Sequence, residues 1–189
     1  MKLLLHTCCG PCLVGCLGNL EDEGIKPVLF WYNPNIHPWT EYRSRRDCLE
    51  DVANRKSLEL LKTDEYGLRL FLRGVRMIET GREAEKNSGG DAKAGRCDYC
   101  YRLRLEKTAE TARLEGYDFF STTLLISPYQ RHDAIKKTGE ELAAGYGIPF
   151  FYRDFRPFFR AGQKTARGMG LYTQKYCGCV FSEEERYAL

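Results

Sequence analysis

The stretch Leu3-Leu-Leu-His6-Thr-Cys8-Cys9-Gly-Pro11-Cys12 joins a short apolar run to a proline placed for the first turn of a helix. Lys2 to His6 therefore reads as a buried strand that runs straight into a cysteine-bearing turn. The helix that Pro11 opens ends near Glu23. The same alternation continues outward from this unit. Gly24 and Pro27 punctuate, Val28-Leu-Phe-Trp-Tyr32 reads as a second strand, and Asn33-Pro-Asn-Ile-His-Pro38 is a loop. A charged helix follows from about Thr40 to Lys56, a third strand over Leu58 to Leu61, and a helix over Glu65 to Ile78. A helix from about Cys97 to Leu114 places Cys97 and Cys100 in its first turn. Tyr117 to Thr123 is a fourth strand, Pro128 opens a helix, Pro149-Phe-Phe-Tyr-Arg153 is a fifth strand, and Pro157 starts a last helix.

This pattern predicts an α/β fold, a three-layer Rossmann-like domain with a mainly parallel sheet. Residues 82–96, which include Asn87-Ser-Gly-Gly-Asp91, read as a mobile polar segment inside one domain spanning 1–189, because both flanks continue the alternation. In such folds ligands collect at the carboxyl ends of the strands. Cys8-Cys9, Asn33-Pro-Asn35, Ser127-Pro-Tyr129 and Arg153-Asp154 are all expected at that edge.

A chain of 189 residues needs no disulfide staples to hold a core. Met1 to His6 is too short for a secretory signal, and no apolar run approaches the roughly 20 residues that span a bilayer. A cytoplasmic protein with reduced thiols is expected, with no membrane partner. The net charge of +3 singles out no partner, although eighteen arginines against eleven lysines favour forked phosphate contacts.

Seven of the nine cysteines fall in three motifs: Cys8-Cys9-Gly-Pro-Cys12, Cys97-Asp-Tyr-Cys100 and Cys177-Gly-Cys179. In a reducing compartment such clusters point to metal or redox chemistry. The first lies at a strand-to-helix turn, where free backbone N–H groups and the helix dipole favour thiolate. Cys97 and Cys100, spaced i, i+3, share one helix face. Cys8, Cys9, Cys97 and Cys100 supply four ligands, enough for a [4Fe–4S] cluster; a structural zinc site uses the same number. Cys12, Cys177 and Cys179 remain. Cys177 and Cys179 would close a small, easily reduced ring if oxidised, and so form a redox pair. Alternatively, some of these three thiols hold a second, single metal beside the cluster, or Cys177 or Cys179 displaces Cys8 or Cys9 from the cluster. Cys16 reads as core, Cys48 takes no assignment, and His6 reads as a satisfied buried histidine.

Tyr32, Asn33 and Asn35 offer a ring and amide edges for a nucleobase, against a structural reading as a rigid loop. His37 and His132 are candidate proton donors. Arg43, Arg45 and Arg46 are candidates for gripping phosphates, against a solvated helix face. Tyr129 and Arg153, on loops at the same edge, complete the candidate substrate contacts.

Together these motifs resemble one family. They are His6-Thr-Cys-Cys-Gly-Pro-Cys12, Tyr32-Asn-Pro-Asn-Ile-His-Pro38 with Glu41, Tyr42 and Arg43, and Cys97-Asp-Tyr-Cys-Tyr-Arg-Leu-Arg-Leu105. Thr122-Thr-Leu-Leu-Ile-Ser-Pro-Tyr-Gln130, Tyr152-Arg-Asp-Phe-Arg156 and Gln174-Lys-Tyr-Cys-Gly-Cys179 join them. The chain resembles the cobalamin-independent epoxyqueuosine reductases of the QueH type, almost end to end. It departs from them at Gly10, where alanine is expected, and at Thr173, where arginine is expected. The resemblance implies reductive removal of the epoxide oxygen from epoxyqueuosine in a tRNA anticodon, the last step of queuosine biosynthesis. It implies a [4Fe–4S] cluster on Cys8, Cys9, Cys97 and Cys100, a redox pair of Cys177 and Cys179, and an unidentified electron donor. An additional mononuclear iron would draw on the surplus thiols, Cys12 among them. The fold implied resembles the pyrophosphate-loop (HUP) superfamily, with cysteines in place of the residues that cradle phosphate, which argues against ATP binding. The rival readings are another iron–sulfur tRNA-modifying enzyme of thiolase type and a non-catalytic zinc-binding RNA adaptor.

Overall fold

The computed structural model describes residues 1–84 and 92–188. The opening unit follows the sequence. Strand β1 (Leu3–His6) is buried along its whole length, as expected for a strand covered on both faces. Helix α1 (Gly10–Asp22) starts from Cys9 as its N-cap, with Pro11 in its first turn. The Cys9 sulfur accepts a hydrogen bond from the Cys12 backbone N–H at 3.4 Å, replacing the serine or aspartate that commonly caps a helix.

Beyond it lie β2 (Val28–Trp31), α2 (Trp39–Arg55), β3 (Leu60–Lys62), α3 (Leu68–Ala84), α4 (Ala92–Leu114) and β4 (Phe119–Thr122). Helices α5 (His132–Tyr146), α6 (Phe159–Gly168) and α7 (Val180–Tyr187) complete the order. All strand pairs are parallel, in the order β3-β2-β1-β4. The chain builds outward from β1 to β3 and then returns to place β4 on the other side of β1. That reversal opens a crevice at the carboxyl ends of β1 and β4, the usual ligand position in open α/β sheets. Helix α1 packs on α2 and α6, while α4 packs on α3, α5 and strands β1 and β4. The α1–α6 approach is close: a Cβ on Gly162 would lie 2.5 Å from the Gly15 Cα, so the glycine pair sets how near α6 comes to the crevice. Among the described residues, no helix is long and apolar enough to cross a membrane.

Five sequence expectations change. The fifth strand shrinks to a single bridge between Phe120 and Phe150, with Phe151 N–H donating to the Phe120 carbonyl at 2.8 Å. The chain leaves the sheet edge at once because Phe155 N–H bonds to the Leu125 carbonyl and a 3-10 turn over Arg156–Phe158 begins. The helix expected at Pro128 starts at His132, because the Ser127 hydroxyl accepts from Tyr129 N–H and folds Ser127–Gln130 into a turn. The helix expected at Cys97 starts at Ala92, so the thiols of Cys97 and Cys100 lie in its second and third turns. Of the expected polar segment 82–96, residues 82–84 end α3 and 92–96 begin α4, while 85–91 lie outside the described residues. Finally, the tail carries α7, for which Cys179 is the N-cap.

Candidate active site

Cys8 leaves β1 at the crevice, its backbone N–H reaching the Thr123 hydroxyl just beyond β4 at 3.4 Å. Its sulfur lies 3.9 Å from that of Cys9, and the ligand atoms of Cys8, Cys9 and Cys12 all fall within 4.8 Å of one another. All three are buried. Hydrogen bonds from Cys12 and Cys9 hold the Cys8 thiol well below its ordinary range. Burial pushes Cys9 up, and the bond to Cys8 pushes Cys12 up. The trio thus favours negative charge on Cys8 over its two neighbours. Sulfurs bound tetrahedrally to one ion, with bonds of about 2.3 Å, sit about 3.8 Å apart, so this trio has the spacing of a single-ion site.

The crevice above it is a cleft of about 680 Å³ lined by Cys8, Cys12 and Cys177. An adjoining cavity of about 410 Å³ is lined by Cys97, Cys100, Cys177 and Cys179. Asn35, Arg104, Tyr129, Gln130 and Cys177 border both. The structure therefore brings all three cysteine motifs to one edge, in two sets rather than one. Among the described residues, the compact set is Cys8, Cys9 and Cys12; Cys97 and Cys100 face the second cavity beside Cys177 and Cys179.

Arg104 sits between the two sets. It is only 2% exposed, and its guanidinium donates to the Cys100 carbonyl at 3.0 Å and to the Cys100 sulfur at 3.2 Å. Burial pushes the Cys100 thiol up to about 12, with Arg104 pulling in the opposite direction. Burial also raises Cys97. Gln130 donates to the Cys177 sulfur at 3.4 Å while its amide oxygen accepts from the Tyr101 hydroxyl at 2.8 Å.

The third motif hangs on a strap held from a distance. Arg45 on α2 is 1% exposed. It pairs with Glu41 at 2.7 Å and donates to the carbonyls of Cys177 at 3.0 Å and Tyr176 at 2.9 Å. The Tyr172 hydroxyl bonds to Glu41, the Tyr176 hydroxyl donates to the His37 carbonyl at 2.6 Å, and His37 N–H donates to the Gly178 carbonyl at 2.7 Å. Gly178 has φ +132°, and a Cβ there would lie 3.2 Å from the Arg45 guanidinium, so glycine is required between the two cysteines.

Of the candidate substrate residues, Asn35, Arg45 and Tyr129 line the cleft; the others do not. Asn35 is buried with its side-chain oxygen unpartnered, whereas Tyr129 is 85% exposed at the mouth. Tyr32 is buried and stacked on Phe30. Asn33 is consumed structurally: its amide donates to the Thr7 carbonyl at 3.0 Å and its oxygen accepts from His6 Nε2 at 3.2 Å. His6 Nδ1 meets the Thr122 hydroxyl at 2.9 Å, so this histidine is the satisfied buried one expected. Arg43 leans on Asp47, and Arg46 is paired with Asp47 and Asp64. Arg153 is paired with Glu23 beyond the end of α1. Among the described residues, no histidine lines either cavity.

His37 is fully buried between Tyr66 and Phe71, donating from Nε2 to the Pro34 carbonyl at 3.1 Å, with Nδ1 unpartnered. Burial lowers its pKa from 6.5 to about 4. The folded state thus favours the neutral ring. Its contribution to stability is complete above about pH 6.5 and is lost as the pH falls through about 4, a loss of at most about 3 kcal/mol. Urea midpoints measured across that window should decline, and His37→Gln should flatten the decline. An unchanged acid slope in the variant would assign the effect to another group.

Sequence reasoning treated Arg45 as a phosphate grip and passed over Arg104, Gln130 and Tyr176. Arg104 was accessible by spacing, since it falls at i+4 from Cys100 and i+7 from Cys97 on one helix. Arg45 shows locally only its i, i+4 pairing with Glu41, because the two carbonyls it holds lie more than 130 positions away.

Comparison with known proteins places this geometry in context. A family model described as epoxyqueuosine reductase QueH matches residues 3–185. An epoxyqueuosine reductase QueH of Dehalococcoides mccartyi is 34% identical, over 98% of this chain and 94% of that protein. The one from Thermotoga maritima is 37% identical, over 97% of this chain and 91% of that protein. Among solved structures, a protein described as a predicted subunit of tRNA methyltransferase from Methanocaldococcus jannaschii superposes with TM-score 0.51 at 12% identity. The likeness covers 100% of this chain and 93% of that one, and it concerns the fold alone.

Proposed function

We propose, since the chain belongs to the epoxyqueuosine reductase QueH family, that it removes the epoxide oxygen of epoxyqueuosine held in a tRNA anticodon. It is an oxidoreductase of queuosine biosynthesis, and the buried cysteine trio is a metal-binding site. The reaction takes two electrons and two protons, converts the epoxide to an alkene and releases water. The electrons come from an external donor, and a cytoplasmic location follows from the tRNA substrate.

The observation that carries this reading is a cleft bordered by two of the cysteine motifs and by Arg45, Arg104, Arg160, Arg167 and Lys175, with no carboxylate among its described lining residues, and adjoined by the cavity that holds the third motif. The donor set fits an iron–sulfur centre. Thiolates are its ligands, and the buried guanidiniums of Arg45 and Arg104 offset the anionic charge that a thiolate-bound cluster carries. When bound, a [4Fe–4S] cluster supplies one electron at a time, and a mononuclear iron beside it supplies Lewis acidity toward oxygen. The motif match assigns the cluster to Cys8, Cys9, Cys97 and Cys100, with Cys12 for a second metal and Cys177 and Cys179 as a redox pair or further ligands. The single-ion spacing of Cys8, Cys9 and Cys12 favours a second assignment, in which the trio acts together and the cluster belongs to the four thiols of the neighbouring cavity.

The protein's own groups then have distinct tasks. Asn35 offers its unpartnered amide oxygen to a substrate N–H or O–H, which otherwise leaves that oxygen buried without a bond. Tyr129, at the mouth, offers a ring for stacking a neighbouring base. Tyr176 borders the cleft as a proton source for the departing oxygen.

The test is direct. Protein purified without oxygen, given dithionite and tRNA bearing epoxyqueuosine, should convert the nucleoside to a product lighter by one oxygen, seen by mass spectrometry of the digested tRNA. Protein with full iron and sulfide content that leaves the nucleoside unchanged would overturn the assignment.

A further inference from the structure

We propose that the exposed face of α6, with Lys175 beside it, is the surface that grips the sugar-phosphate backbone of the substrate tRNA; this rests on the activity proposed above and names where its substrate docks. Arg160, Gln163, Lys164 and Arg167 recur at i, i+3, i+4 and i+7, so they share one face of the helix. Arg160, Lys164, Arg167 and Lys175 are exposed, and among the described residues none of them makes an ion pair or side-chain hydrogen bond. Arg160, Gln163, Arg167 and Lys175 also border the cleft that contains Cys8 and Cys12.

Unpaired cations gathered at the rim of a cleft without carboxylates create a positive potential that draws in a polyanion. Arg160 and Arg167 stand about 10 Å apart along the helix axis, which spans more than one nucleotide of an RNA strand. Tyr129 meets Phe159, the first residue of α6, edge-on at 6.0 Å, so an aromatic platform continues the basic face into the cleft. This is the arrangement that single-stranded RNA exploits: phosphates along a charged track and bases against rings.

The three arginines that the sequence offered for this task are otherwise engaged. Arg45 is buried against Glu41, Arg46 is held by Asp47 and Asp64, and Arg43 leans on Asp47 outside the cleft lining. A second exposed basic face exists on α3, at Arg69, Arg73 and Arg76, but it borders neither cysteine-lined cavity. That face supplies a control of equal charge change.

Binding of fluorescently labelled substrate tRNA is measured by anisotropy across a salt series, for the metal-loaded parent protein, for Arg160→Gln with Arg167→Gln, and for Arg69→Gln with Arg73→Gln. The α6 double variant should bind about tenfold more weakly and lower the slope of log affinity against log salt by about 1.4, at about 0.7 per lost phosphate contact. Its iron content and visible absorption should match the parent, and the α3 variant should bind as the parent does. An α6 variant that binds normally, equal losses from both variants, or a parent without salt-dependent binding would each overturn the surface. Deoxygenation by the parent is read separately, so the surface can fail while the activity stands.

Discussion

Cys100→Ala is expected to abolish deoxygenation, by at least three orders of magnitude, and to remove the protein's visible absorption, whereas Cys16→Ala keeps both. The contrast rests on what surrounds two buried thiols. Cys16 lies in the apolar core one turn beyond Cys12, and burial raises its pKa well above the ordinary thiol range, so it remains a neutral packing group. Truncating it costs roughly 1 kcal/mol, the transfer energy of a small group, plus any cavity. Cys100 is also pushed up by burial, to about 12, but it faces a cavity with Cys97, Cys177 and Cys179 and receives a hydrogen bond from the Arg104 guanidinium. A metal must displace that proton to bind, so loading should release protons and strengthen as the pH rises. Full colour and full rate in Cys100→Ala would sink the metal assignment. The same assay separates the two ligand sets. If Cys8, Cys9, Cys97 and Cys100 hold the cluster, Cys9→Ala loses it and Cys179→Ala retains it. If the trio binds a single ion, the outcomes exchange. Iron and acid-labile sulfide counts on both variants decide.

Arg45→Met should destabilise the protein by about 3–5 kcal/mol and release the strap bearing Cys177 and Cys179. Removing one partner of a buried ion pair leaves the other charge without compensation, and this is where the large costs of such pairs arise. Glu41 is buried here, and its remaining partner is the Tyr172 hydroxyl. The carbonyls of Tyr176 and Cys177 lose their donors at the same time. For a chain of this length the loss corresponds to about 10 °C in melting temperature. Limited proteolysis should open a site near Lys175 that the parent protein protects. Glu41→Gln combined with Arg45→Met should recover part of the stability, because no lone charge then stays buried. Unchanged urea midpoints and an unchanged digestion pattern in Arg45→Met would show that the strap is held by something other than this pair.

The central βα units were legible because their signals are local. Leu3–His6 ends in a cysteine turn with a proline one helical position on, and Val28–Trp31 is a compact apolar run between a proline and a polar loop. The boundaries that moved did so where a side chain or a neighbouring segment competed with the local signal. The Ser127 hydroxyl delayed α5, and the bond from Phe155 to Leu125 cut the fifth strand to one bridge.

The sequence by itself determined the fold class, the three thiol motifs and the arrival of Cys8 and Cys9 at the ligand edge of the sheet, because strand-to-helix turns of a parallel sheet all open toward the same side. Only the tertiary structure decided how the sulfurs are grouped and which polar residues are free to act. Cys177 reaches the cavity through a buried pair on α2, 132 positions earlier. Asn33 and His37 are taken up by the interior, and Arg160, Arg167 and Lys175 are left exposed at the cleft. Periodicity over a few residues fixes which way a side chain leaves its own element. Whether that side chain then meets a partner, a cavity or water depends on segments far away in the chain, and packing alone sets their positions.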